Sequence, residues 1–307
     1  AVVAVFGALT ALVVTRAGGP GQLVDVSGVA ALAHCTDMSL PLWSLLRTTP
    51  ARVGAGSYPL YECSDGLARI VLPMSAGEWQ SLIAWLGSPP EWTGGDWDLP
   101  LLGPTARAAI DERLPGMFAS GTREELAAQG DAAGVRITAV LTPAEILVND
   151  HVRERGTFGE VPLGGAHGAK VPASPFSVDG HRDAPRAPEH AATAPTWSPR
   201  PAPTASMPTG HPLEGIRVLE IGSGVASPEA ARMLADWGAD AIKIESSRRP
   251  DFQRTVMGGL MNPAFSTVAR GKSSIDVDLT TDEGLALVRD LVVASDVLVE
   301  NNAAGVL

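Results

Sequence analysis

Residues 183–212 constrain this chain most, because no packed core can be built from them. Eight prolines and seven alanines fall in those thirty residues, with almost no large aliphatic side chain. Such a composition buries too little apolar surface to offset the entropy of ordering the chain. The stretch 183–211 therefore reads as a disordered Pro/Ala-rich linker, able to reach roughly 90 Å if extended at about 3.1 Å per residue. Folded material must lie on either side of it. With 307 residues, 45% hydrophobic and 19% charged, the chain has enough for about two domains of ordinary size.

Beyond the linker the pattern is regular. Strands are expected over Ile216–Ile221, Ala239–Glu245, Ser274–Val277 and Asp296–Glu300, with helices over Ser227–Trp237 and Thr281–Ala294. Alternating strands and helices of this length predict an α/β lobe with a parallel, doubly wound sheet, Rossmann-like in character, over 212–307.

Ahead of the linker the texture is mixed. Ala1–Arg16 is apolar nearly all round, which predicts a buried helix. Arg16 closes the run short of the roughly 20 apolar residues of a membrane span. The chain opens on Ala1 rather than on a methionine, inside an apolar run, and this reads as a cut through a longer frame. Gln22–Ser27 is β-rich, and Gly28 to about Leu46 reads as one helix. From residue 50 to 145 the pieces are short and predict a smaller α+β domain. A hairpin is expected over Leu60–Leu72, turning at Asp65-Gly66. Helices are expected over Ala76–Leu86, Thr105–Phe118 and Thr122–Ala133, the last opened by the capping box Thr122-Arg-Glu-Glu125. A strand over Val135–Leu141 precedes a helix starting at Pro143. Trp79, Trp85, Trp92 and Trp97 are candidates for the core of this domain. The segments are thus 1–49, the small domain 50–145, a return segment 146–182, the linker and the lobe 212–307.

Several functions are excluded at this level. A net charge of -11 repels nucleic-acid backbones and leaves no basic stripe. Cys35 and Cys63 make neither a disulfide framework nor a metal site, and the default compartment is reducing and cytoplasmic. Six scattered histidines form no catalytic or zinc-binding order, and no metal is expected. Asp276, Asp278, Asp282 and Glu283 read as helix-start and surface charge.

The turn Gly222-Ser-Gly224-Val-Ala-Ser227 follows a strand and opens a helix, so its N–H groups and dipole favour an anion. It resembles a dinucleotide fingerprint with Glu245 as the ribose acid, but Ser227 replaces the third glycine. Lys243, Arg248, Arg249 and Arg254 lie at or after the second strand, where ligands of parallel sheets bind. For the arginines, phosphate contact is one reading and solvated loop charge the other.

Four blocks carry a family resemblance: Pro212–Ile221, Ala230–Glu245, Arg270–Leu279 and Ser295–Asn301 with Gly305-Val-Leu307. In this order and spacing they resemble the N-terminal portion of class III CoA-transferases, the family of formyl-CoA transferase, carnitine CoA-transferase and α-methylacyl-CoA racemase. Gly21–Ser27, Tyr58–Gly66 with Glu78-Trp79, and Ala144–Gly156 through Phe176 resemble the family's C-terminal half. The order is back half, linker, front half. That implies a tandem protein cut within each copy, with a circular permutant as the alternative.

The resemblance implies transfer of CoA between an acyl-CoA and a carboxylic acid acceptor. An aspartate takes part covalently, passing through an enzyme-bound CoA thioester. That aspartate belongs to the family's middle portion, so no catalytic residue is assigned within 1–307. CoA is a substrate, and no permanently bound cofactor is implied. The carried-over CoA contacts are Ser223, Gly224, Val225, Ser246 (with Arg248 or Arg249 as substitute), Val277, Thr280 and Asn301. Val225 stands where formyl-CoA transferase has a glutamine, and valine donates no hydrogen bond. Gly54 and Gly56 approximate a glycine-rich loop. Interlocked dimers in the family imply a dimer or an intramolecular pseudo-dimer. The alternatives are a racemase or isomerase of the family, a degenerate copy, or an NAD-dependent oxidoreductase.

Overall fold

The computed structural model describes residues 1–35, 39–47, 60–71, 76–92, 104–162, 168–187, 197–199, 201–206, 210–251, 253–254 and 262–306. The chain divides into two compact units, Ala1–Ala51 with Trp197–Leu307, and Arg52–Thr196. Gly54, Gly56 and Trp97 lie outside the described residues.

The first unit opens with α1 (Val2–Arg16), α2 (Gly28–Cys35) and α3 (Ser39–Leu46). Helix α1 forms where expected but is not buried. Its buried residues are Thr10 and Val14, while Val2 and Val5 are 77% and 58% exposed. Hydrophobic content predicts a helix that wants cover. Whether neighbours supply it depends on the fold. Gln22–Ser27 forms no strand, since no neighbouring strand edge pairs with it among the described residues. Of the helix expected over 28–46, Gly28–Cys35 and Ser39–Leu46 are helical, and residues 36–38 lie outside the described residues.

The second unit is built on a three-stranded antiparallel sheet of β1 (Leu60–Cys63), β2 (Gly66–Ile70) and β3 (Ile137–Val140), in that order. Cys63 pairs with Gly66, so the loop is Ser64-Asp65, one residue earlier than expected. Gly66 takes a φ of +146°, a conformation open to glycine. Three helices cover this sheet: α4 (Ala76–Trp85), α5 (Pro104–Ala119) and α6 (Arg123–Ala133). Ile70, Trp79, Leu82, Ile110, Leu114 and Phe118 form its core, with Trp92 and Leu126 beside them. Tyr61 and Trp85 both pack on the Phe118 ring, at centroid distances of 4.6 and 6.3 Å.

Helix α6 is opened by the capping box Thr122/Glu125, and α7 (Pro143–Val148) by a second one, Thr142/Glu145. Arg123 ties the two helix starts together. Its guanidinium donates to Glu145 at 2.7 Å and to Asp65 at 3.4 Å, and it also reaches Val140 O. That guanidinium, with the Thr142 N–H, holds the Glu145 carboxyl at about 2. A depressed carboxyl contributes its stabilisation above its ordinary value of 4.5 and loses it as the pH falls through about 2. Amide exchange in the 142–148 segment is therefore expected to accelerate across that window. An Arg123→Met variant should exchange fast already at neutral pH and lose most of this pH dependence.

The short α8 (Asp150–Glu154) leads into β4 (Phe158–Pro162) and β5 (Gly168–Pro172), an antiparallel ribbon. Its glycines and prolines conceal it in the sequence, where residues 146–182 read only as a return segment.

The first unit resumes with a four-stranded, all-parallel sheet. Its strands are β6 (Arg217–Ile221), β7 (Asp240–Glu245), β8 (Ser273–Asp276) and β9 (Val297–Glu300), in the order β8-β7-β6-β9. Helix α9 (Ala226–Asp236) connects β6 to β7, α10 (Pro263–Ala269) lies between β7 and β8, and α11 (Asp282–Ala294) leads to β9. Alternate side chains leave opposite faces of a strand, and both faces here are apolar. Val218 and Ala241 pack on α9 through Ala231, while Leu219, Ile221 and Ile244 pack on α11 through Val288. Mixed α/β architecture with a parallel sheet follows. Helix α9 also meets α1, with the rings of Trp237 and Phe6 6.4 Å apart. Thr204 and Ala205 both donate their N–H to Gly18 O.

Candidate functional site

A cavity of about 620 Å³ opens at the carboxyl ends of β6, β7 and β8. Ligands of parallel sheets bind at such ends, and the volume falls in the range of about 300–1,000 Å³ usual for small-molecule sites. Ser223, Ser246, Arg248, Val277 and Thr280 line it, together with Arg249, Asp278 and Asn302. Gly224, Val225 and Asn301 do not line it. Val225 is 56% exposed. Asn301 instead clamps the glycine turn: its Oδ1 accepts from Ser223 N at 3.1 Å, and its Nδ2 donates to Ser223 O at 2.9 Å.

The turn approaches its neighbours closely. A Cβ on Gly222 would stand 2.5 Å from Asn301 Oδ1 and from Ser227 Cβ, so only glycine fits there. Gly224 adopts a φ of +79°. Its N–H, which the sequence offers to a ligand anion, donates to the Asp251 carboxylate at 3.1 Å. The anion at this turn belongs to the protein itself.

The cations of the loop separate in the same way. Lys243 is buried, and its ammonium reaches Glu220 at 2.7 Å, Gly222 O at 2.8 Å and Asp251 at 3.2 Å. Arg254 gives two hydrogen bonds to Glu245, at 2.7 and 3.0 Å, and lies 3.5 Å over the Phe265 ring. Glu245, the candidate ribose acid, thus has both oxygens engaged. Arg248 pairs with Asp278 at 2.6 Å. The Thr280 hydroxyl, and then Arg248, hold the Asp278 carboxyl at about 2. Among the described residues, the Arg249 guanidinium has no hydrogen-bond or carboxylate partner, and it is exposed at the cavity. Of the three cations that line the cavity, Lys243 and Arg248 are paired with carboxylates and Arg249 is not.

The acidic run divides likewise. Asp276 accepts from Ser247 N at 2.8 Å, and Asp282 and Glu283 sit in the first turn of α11. Asp251, Glu220 and Lys272 do not stand out in the sequence. Glu220 nonetheless carries a signal there: a carboxylate inside Val218-Leu-Glu-Ile221, a strand apolar on both faces, demands a buried cation.

The model of CoA-transferase family III matches residues 1–192 and 213–307. The chain belongs to CoA-transferase family III. The break between the two family III matches falls in the Pro/Ala-rich stretch. A probable CoA-transferase of Mycobacterium tuberculosis is 35% identical over 257 residues, covering 82% of this chain and 32% of that protein. The succinate–glutarate CoA-transferase of Agrobacterium fabrum is 44% identical over 99 residues, 29% of this chain and 25% of that one. Among solved structures, a CaiB/BaiF family protein from Brucella suis is 39% identical over 32% of this chain and 27% of that chain, with a TM-score of 0.29. The chain thus spans between a quarter and a third of the length of these curated relatives. Among the described residues, no helix is long and apolar enough to cross a membrane.

Proposed function

We propose that the chain is the junction of a tandem family III CoA-transferase, joining the back half of one copy to the front half of a second. The first copy would supply 1–49, the small domain 50–145 and the return segment 146–182. Residues 183–211 would be the linker, and 212–307 a doubly wound, Rossmann-like CoA-binding lobe. Three findings support this reading. The family model matches twice, on either side of 193–212. The 257 residues aligned to the mycobacterial relative exceed the 192 of the first matched segment, so that alignment runs through the junction. Ala1–Ala51 also joins Trp197–Leu307 in one compact unit, the pairing an intramolecular pseudo-dimer calls for.

The reaction proposed is the movement of CoA between an acyl-CoA and a carboxylic acid in the cytoplasm. An aspartate outside 1–307 would attack the thioester carbonyl and expel the CoA thiolate. The thiolate would then attack the resulting mixed anhydride, giving an aspartyl-CoA thioester and releasing the first acid. The acceptor carboxylate then attacks the aspartyl thioester and expels the CoA thiolate, and that thiolate attacks the acceptor carbonyl of the new anhydride, giving the new acyl-CoA and freeing the aspartate. Within 1–307 the role is binding: Ser223, Ser246, Val277 and Thr280 shape the cavity, and of the two arginines expected as substitutes at the Ser246 position, Arg249 makes the phosphate contact.

The observation that carries this reading is Arg249, an unpaired guanidinium at a cavity of nucleotide size. Calorimetric titration is expected to show binding of coenzyme A and not of NAD. Arg249→Ala should weaken it about tenfold or more, the effect of losing a charge-assisted hydrogen bond. Arg248→Ala should change it less. The isolated chain should transfer no CoA, and transfer by it would refute the external nucleophile.

One observation favours a second reading, a degenerate copy that no longer binds CoA. Val225, Gly224 and Asn301, three of the carried-over contacts, do not line the cavity. An absence of coenzyme A binding in the same titration would select it.

A further inference from the structure

Four ionised side chains lie together beneath the glycine turn, and the two that line the cavity, Lys243 and Asp251, are already paired. Lys243 and Lys272 share the two oxygens of Glu220, and Lys243 continues to Asp251. The side chains of Glu220, Asp251, Lys243 and Lys272 are 0%, 3%, 3% and 1% exposed. Charges removed from water this completely persist only when paired and hydrogen-bonded, and two lysines against two carboxylates leave the group neutral. The quartet also grips backbone. Lys243 donates to Gly222 O, and Lys272 donates to Pro228 O at 2.9 Å. Asp251 accepts from Gly224 N and, at 2.9 Å, from Gln253 N. The Gln253 amide returns a bond to Gly224 O at 3.3 Å, and Asn262 holds Gln253 O at 3.0 Å.

We propose that Asp251, backed by Lys243, is the positioning residue of the glycine turn. It presets the shape of Gly222–Gly224 and occupies the N–H that a ligand anion would otherwise take, so that phosphate is directed to Arg249. The inference rests on the coenzyme A reading above for its ligand. Asp251 reaches the cavity wall with its carboxylate already engaged by Gly224 N, Gln253 N and Lys243, and in this proposal it acts through the turn.

The test combines amide exchange at Gly224 with coenzyme A titration of the whole chain. Asp251→Ala is expected to speed exchange at Gly224 and to weaken coenzyme A binding, each by about tenfold or more, as loss of a charged acceptor implies. Asp251→Asn keeps an acceptor oxygen and should lose less. The double variant Lys243→Met/Asp251→Asn leaves the neutral Glu220–Lys272 pair in place. It should keep the wild-type melting temperature within a few degrees while still binding weakly, a separation that a purely structural role would not produce. Slow Gly224 exchange in Asp251→Ala would overturn the proposal, as would unchanged affinity in both Asp251→Ala and the double variant. If the wild-type chain binds no coenzyme A, the ligand reading falls, and Gly224 exchange alone still decides whether Asp251 holds the turn.

Discussion

Glu220→Ala is expected to destabilise the parallel-sheet unit by about 3–5 kcal/mol, the cost of breaking a buried ion pair by removing one partner. The carboxylate is fully buried, and both ammonium ions of the quartet touch it. Without it Lys243 keeps Asp251 and Gly222 O, while Lys272 loses its carboxylate and keeps Pro228 O. Chemical denaturation followed by circular dichroism measures the loss, and amide exchange in 217–221 localises it. The double variant Glu220→Leu/Lys272→Met supplies the control. It removes a charge of each sign, leaves Lys243 with Asp251, and should recover most of the loss, since apolar replacement of a buried pair is often close to neutral. Failure of the double variant to exceed Glu220→Ala in stability would show that Glu220 matters through its shape and not through its charge.

Phe118→Ala is expected to have an effect of similar size in the other unit, about 3–5 kcal/mol for a large aromatic removed from a closed core. Phe118 is fully buried, and it is the ring on which both Tyr61 of β1 and Trp85 of α4 pack. Its removal leaves a cavity where α5 crosses the sheet and also ends two aromatic contacts, each contributing about 0.5–1.5 kcal/mol beyond area burial. Phe118→Leu should recover more than half, because it restores most of the volume. Exchange in the Ile110–Phe118 segment should accelerate in the alanine variant. A loss below about 1 kcal/mol would mean that the three helices close over the gap, contrary to the dense packing around this ring.

Short-range physics made most of the elements legible. Thr122 with Glu125 announces the start of α6, and Pro143 that of α7, because a cap satisfies orphan N–H groups within three residues of itself. The alternation after residue 212 likewise yields β6, α9, β7 and β9 within a residue or two. What failed was context. Among the described residues, Gln22–Ser27 has strand composition but no edge to pair with, and the glycines of 158–172 hide a ribbon whose two strands pair with each other alone.

The amino-acid order alone thus determined the family, the strand–helix alternation, the glycine turn and the set of cations near it, because each is written in neighbouring residues. Only the tertiary structure decided which of those cations remains available. Arg248 meets Asp278 thirty residues on, Lys243 meets Glu220 twenty-three residues back, and Asn301 clamps Ser223 across seventy-eight. Charges cancel according to distance in space, and a parallel sheet brings together strand ends that lie far apart along the chain. The cover of α1 was decided in the same way, since an apolar sequence expresses a demand for burial and only packed neighbours meet it.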